Sequence, residues 1–113
     1  MDRIIERKKI VKEILEEVGK IRTKSRFLMR TQYLFDDEHG QYMLYKYGWG
    51  NQGRIYGNVA HFEIAEDGKI WVHHDGTSLE LVQQLLDKGI PKTEIVIAYK
   101  PDYVREELGF AVS

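Results

Sequence analysis

The stretch His61-Phe62-Glu63-Ile64-Ala65-Glu66-Asp67-Gly68-Lys69-Ile70-Trp71-Val72-His73-His74 decides the fold. Two runs in it alternate apolar and polar residues with a period of two, the mark of half-buried strands. Asp67-Gly68 lies between them, and both residues accept positive φ, so the pair predicts a two-residue hairpin turn. That register sets His61 opposite His74, gives Glu63 the same face, and puts Phe62, Ile64 and Trp71 on the core side.

The period of two continues upstream. A strand over Arg54 to Ala65 is preceded by the turn Gly50-Asn51-Gln52-Gly53 and by a Tyr-rich strand, Gln41 to Trp49, with Tyr45, Tyr47 and Trp49 on one face. Asp36-Asp37-Glu38-His39-Gly40 is turn chemistry, and Phe27 to Phe35 alternates before it. The first segment differs. Ile4, Val11, Ile14, Leu15 and Val18 form one stripe of a 3.6-residue period, predicting a helix from Asp2 to a cap at Gly19.

Downstream of the hairpin, Thr77 stands three residues before Glu80, the spacing of a capping box, and Leu79, Val82, Leu85 and Leu86 give the helical face. Gly89 ends that helix and Pro91 keeps it from resuming. Ile95-Val96-Ile97-Ala98-Tyr99 is an apolar run of strand length, expected to be buried on both faces. Pro101 opens a short helix to Leu108, and Gly109 releases the apolar tail Phe110-Ala111-Val112-Ser113. The expected order is α-β-β-β-β-α-β-α, an α+β fold with a mostly antiparallel sheet covered by helices.

With 113 residues, the chain is expected to form a single domain over 1–113 with one hydrophobic core. No apolar run approaches membrane-spanning length, and the amino terminus lacks the apolar stretch of a secretory signal, which predicts a cytoplasmic chain with no membrane contact. The absence of cysteine excludes disulfides, thiolate metal sites and cysteine nucleophiles. The net charge is only −1, but it is unevenly spread: residues 1–30 carry ten Lys/Arg against five Asp/Glu, and the remainder seven against thirteen. Such asymmetry marks either a nucleic-acid face or the contact between one element and the rest.

Three groups of residues are candidates for function. His61, Glu63 and His74 put two imidazoles and a carboxylate on adjacent strand positions, a set able to hold zinc or to act in a metal-dependent enzyme. The plainer reading of the same residues is the polar side of a half-buried hairpin. Lys20, Arg22, Lys24, Arg26 and Arg30 occur with no acid among them, so an extended backbone there would track phosphates. The opposing reading is a solvated edge strand guarded by charge. The third group is aromatic: seven Tyr and two Trp exceed the needs of one small core, and such side chains favour protein interfaces. Gly48-Trp49-Gly50-Asn51-Gln52-Gly53 matches a dinucleotide fingerprint by letter only, since it joins two strands and opens no helix. No serine stands in a nucleophile-elbow context. No cofactor is expected.

Tyr47-Gly48-Trp49, Arg54-Ile55-Tyr56-Gly57, His61-Phe62-Glu63-Ile64, Gly68-Lys69-Ile70-Trp71-Val72 and Asp75-Gly76-Thr77 occur in order. They are followed by Gly89-Ile90-Pro91-Lys92, Glu94-Ile95-Val96 and Phe110-Ala111-Val112. This string resembles the XisI family, the fdxN element excision controlling factors of cyanobacteria. It departs from the family pattern at Tyr56 and Lys100, where histidines are expected, and at the terminal Ser113. The resemblance implies a non-enzymatic factor that acts with a nuclease-like companion, XisH, in site-specific excision of a DNA element. Contact with DNA is then either through that partner only or, in the alternative reading of an accessory DNA-binding protein, direct through the basic segment 20–30. Within the matched string Gly48, Gly57, Gly68, Trp71, Asp75, Gly76, Thr77, Gly89 and Pro91 are assigned to the fold. Tyr45, Tyr47, Trp49, Arg54, His61, Phe110, Ala111 and Val112 are the candidates for contact with a partner or with further copies in a homo-oligomer.

Overall fold

The computed structural model describes residues 2–22 and 28–113. Helix α1 (Asp2–Arg22) is followed by four antiparallel strands, β1 (Leu28–Asp36), β2 (Gln41–Gly50), β3 (Gly53–Ile64) and β4 (Ile70–Asp75). Helix α2 (Leu81–Asp87), a 3-10 turn (Lys92–Glu94), strand β5 (Ile95–Ile97) and helix α3 (Asp102–Glu107) complete the chain. The strand order is β1-β2-β3-β4-β5, and only β5 runs parallel to its neighbour. The parallel pair needs a crossover, which α2 supplies. The expected α+β order is observed.

One face of the sheet holds the core. Val11, Ile14, Leu15 and Val18 of α1 are at most 1% exposed and meet Tyr42, Leu44, Phe62, Ile64, Ile70 and Val72. Leu81 and Leu85 of α2 close the same core, and β5 is buried throughout. The cations of α1 account for much of the charge asymmetry. Arg3 donates to the Asp67 carbonyl (2.7 Å) and Lys8 to the Asp37 carbonyl (2.7 Å), while Lys12 pairs with the Asp37 carboxylate (2.9 Å). Buried Arg7 bridges the Gly68 carbonyl and Glu94, both at 2.7 Å. The amino-terminal half of α1 is thereby fastened to the β1–β2 and β3–β4 turns, two of the three hairpin turns.

Four local expectations are corrected. Gly19 does not cap α1, which runs three residues further. It is buried inside the helix, where its missing side chain admits the Tyr33 ring. Thr77 does not cap α2: the residue before that helix is Glu80, in the left-handed region at φ 50°, and makes no side-chain cap. Asp75 does the capping instead. Its carboxylate accepts the Leu81 N–H (3.1 Å) as well as the N–H and hydroxyl of Thr77.

The third correction concerns the β3–β4 hairpin. Its loop has three residues, Glu66-Asp67-Gly68, with Gly68 at φ 91°, the Gly68 N–H on the Ala65 carbonyl and the Ala65 N–H on that of Lys69. Ile64 therefore pairs with Ile70, Phe62 with Val72 and Glu63 with Trp71. This register buries Ile70 and Val72 completely, which outweighs burying Trp71. Trp71 accordingly sits on the outer face, not in the core, which is the fourth correction. A bulge then adds one residue on β4, so that His61 does pair with His74 while His73, not His74, reaches Glu63.

Candidate partner-contact face

The strand period that buries Tyr42, Leu44, Phe62 and Ile64 sends their neighbours outward. Arg30, Gln32, Leu34 and Asp36 of β1 lie opposite Tyr47, Tyr45, Met43 and Gln41 of β2. Tyr45, Tyr47 and Trp49 lie in turn opposite Asn58, Tyr56 and Arg54 of β3. Among the described residues no helix covers this side of β1–β3, and Leu34, Trp49 and Tyr56 are 48, 59 and 70% exposed.

The outer side chains form a connected strip. The Arg54 guanidinium lies 5.9 Å from the Trp49 ring centre, within cation–π range. Tyr45 and Tyr56 are 6.1 Å apart in a tilted arrangement. Further along, His61 faces His73 at 4.7 Å, and His73 stacks on Trp71 at 6.0 Å. Arg105 of α3 covers the far end of the strip, 5.9 Å from Trp71. Between the two ends lies Asn58, whose Oδ1 is buried with no hydrogen-bond partner among the described residues.

The histidines are held by hydrogen bonds. His61 Nε2 lies 2.7 Å from Gln41 Oε1, and His73 Nε2 lies 2.7 Å from Glu63 Oε1. The Gln41 carbonyl oxygen can only accept, so neutral His61 carries its proton on Nε2. Burial, then the adjacent His73, pushes the His61 pKa below its ordinary value; Glu63 acts the other way and His74 adds to the lowering. Of the alternative His61–Glu63–His74 set, His61 pairs with His74 across the strands, but Glu63 is bonded to His73, which the bulge brings in. Among the described residues no group of three or more His, Asp or Glu is arranged to hold a metal ion.

Of the contact candidates, Tyr45, Tyr47, Trp49, Arg54 and His61 share this face. The tail residues do not join them. Phe110 packs against the chain's own core, the Ala111 N–H donates to the Ile95 carbonyl (3.0 Å), and Arg105 binds the Val112 carbonyl. The basic run is divided. Lys24 and Arg26 lie outside the described residues, and of Arg22 only the backbone is described. Lys20 is on α1, beside Glu17, whereas Arg30 belongs to the outer face.

Sequence reasoning missed Tyr56, Gln41 and His73. Pairing β2 with β3 outward from the Gly50–Gly53 turn would have set Tyr56 beside Tyr47. No sequence signal marks the bulge that brings in His73. An open groove of about 470 Å³ between α1 and the β1–β2 and β3–β4 turns contains Lys8, His39 and Glu63. Each is already engaged, by the Asp37 carbonyl, Asp36 and His73 respectively.

No helix of the described residues is long and apolar enough to cross a membrane. No curated protein matches the chain. Among solved structures, it is similar to an XisI-like protein from Anabaena variabilis at 26% identity and TM-score 0.87, covering 97% of this chain and 99% of that one. It is also similar, at 23% identity and TM-score 0.82, to the fdxN element excision controlling factor XisI of Anabaena variabilis, covering 98% and 99%. The XisI protein family matches residues 1–112, and the chain belongs to that family.

Proposed function

We propose that this chain is a non-enzymatic controlling factor for excision of a DNA element, acting through contact with an XisH-like partner protein. The observation that carries the reading is the open outer face of β1–β3. Tyr45, Tyr47, Trp49 and Tyr56 present rings there beside Arg54, the residue types that anchor protein interfaces. Strands of nine to twelve residues give a face about 30 Å long and three strands wide, the scale of a protein partner and not of a small molecule. The similar Anabaena variabilis structure named as an excision controlling factor supports the excision role.

Co-expression with the XisH-like protein of the same genome, followed by size-exclusion chromatography with light scattering, tests the reading. The expected result is a co-eluting complex that Trp49→Ala and Tyr47→Ala weaken. A chain that elutes without the partner, or a complex indifferent to both substitutions, overturns it.

A further inference from the structure

The two edges of the sheet are treated differently. The β5 edge is three residues long, and the tail lies along it, with the Ala111 N–H on the Ile95 carbonyl. The β1 edge is nine residues long and pairs with β2 in unbroken register. Its charged residues, Arg30 and Asp36, stand toward its two ends, and it contains no proline, no lysine and no bulge, devices that commonly blunt an edge strand. Among the described residues no strand pairs with its outer side, and Tyr33 and Leu34 on it are 38 and 48% exposed.

The sequence of this edge is complementary to itself. When two copies of β1 run antiparallel about a two-fold axis at Tyr33, Arg30 of each faces Asp36 of the other. Thr31 then meets Phe35 and Gln32 meets Leu34. Alternation is preserved, so each residue stays on its own face of the sheet. Arg30 has no ion pair within its own chain among the described residues, and Asp36 is half-exposed beside His39. Opposite charges directly across a strand pair stabilise it, and like charges oppose it.

We infer that the free edge of β1 pairs with β1 of a second copy of this chain, in the register that sets Arg30 against Asp36. The interface is isologous, as a two-fold requires. It joins two sheets into one of ten strands and sets the two open aromatic faces side by side on a single surface. This inference is separable from the partner reading, because the pairing uses the outward backbone edge of β1, whereas the aromatic contact residues Tyr45, Tyr47, Trp49 and Tyr56 and their neighbour Arg54 lie on β2 and β3.

The test uses two variants of the full chain, Arg30→Glu and Asp36→Arg, studied by analytical ultracentrifugation over a concentration series. The wild-type chain is expected to dimerise. Each variant alone places like charges across the axis and weakens the dimer at least about tenfold. In an equimolar mixture, one copy of each variant restores opposite charges at both ends of the strand pair, so the dimer returns; a folding defect would not be rescued in this way. Leu34→Lys, at the middle of the edge, should weaken the dimer without touching either charge. A wild-type monomer at millimolar concentration, a dimer indifferent to all three substitutions, or a mixture that stays monomeric overturns the inference. A monomer that still binds the XisH-like protein overturns it and leaves the proposed function standing; a dimer that binds no partner does the reverse.

Discussion

Gly19 and Tyr33 interlock: a β-carbon at Gly19 would overlap the Tyr33 hydroxyl, which donates to the Glu16 carbonyl one turn earlier in α1. Two effects of Gly19→Ala therefore oppose each other. Alanine gains about 1 kcal/mol in helix propensity. Displacing the Tyr33 ring loses its hydrogen bond to the Glu16 carbonyl and its packing on Gly19, at about 1–3 kcal/mol. The net expectation is destabilisation in urea unfolding. Combining Gly19→Ala with Tyr33→Ala should recover the propensity gain, giving a clear coupling energy in a double-mutant cycle. Additive effects of the two substitutions would show that the contact carries no energy.

Trp49 separates interface from fold. Its ring is 59% exposed, and its cation–π neighbour, Arg54, is exposed as well. Trp49→Ala should change folding stability by no more than about 0.5 kcal/mol. Where the ring is an aromatic anchor of a partner contact, the same truncation costs about 2 kcal/mol or more, roughly a thirtyfold loss of affinity. Calorimetric titration with the XisH-like protein, alongside urea unfolding of the free chain, separates the two quantities.

The legibility of the fold followed the strength of the local signal. Strict alternation placed β2, β3 and β4 to within a residue or two, and of the apolar stripe of α1 Val11, Ile14, Leu15 and Val18 prove fully buried and Ile4 partly so. What failed were details decided by competition. The Asp67-Gly68 turn took one residue more than expected because Ile70 and Val72, not Trp71, had to reach the core. Gly19 resembled a cap because the sequence does not show that a tyrosine from another element needs the space. The aromatic face was legible as Tyr45, Tyr47 and Trp49. Its openness was not, because an outward-facing strand residue reads the same whether a helix covers it or solvent does.

The His61 environment gives a pH dependence with a definite sign. Its folded pKa lies below the ordinary value, chiefly through burial and then through His73, opposed by Glu63. On acidification the unfolded chain takes up this proton first, so stability is full above about pH 6.5 and declines as pH falls toward the folded pKa. Urea midpoints measured between about pH 7.5 and about pH 5 should therefore drop. His61→Gln, which keeps a donor for the Gln41 carbonyl oxygen, should flatten that part of the profile. An unchanged slope in the variant would assign the titration to another group.

Arg105 binds the end of the chain back onto the domain. Its guanidinium donates to the carbonyls of Ile97 (3.0 Å), Ala98 (3.2 Å) and Val112, pairs with Asp102 (3.0 Å), and lies over Trp71. Three carbonyls in different directions suit the planar fork of arginine and exceed what one ammonium can span. Arg105→Ala should cost about 3 kcal/mol, and Arg105→Lys more than half of that. Removing Phe110–Ser113 takes away the ring that packs on the core and uncovers the edge of β5, at about 2–3 kcal/mol by apolar area alone. Both changes act on folding, so each should lower the urea midpoint and leave affinity for the partner intact where the chain remains folded. Loss of partner binding by the truncated but folded chain would instead put Phe110, Ala111 or Val112 in the contact surface.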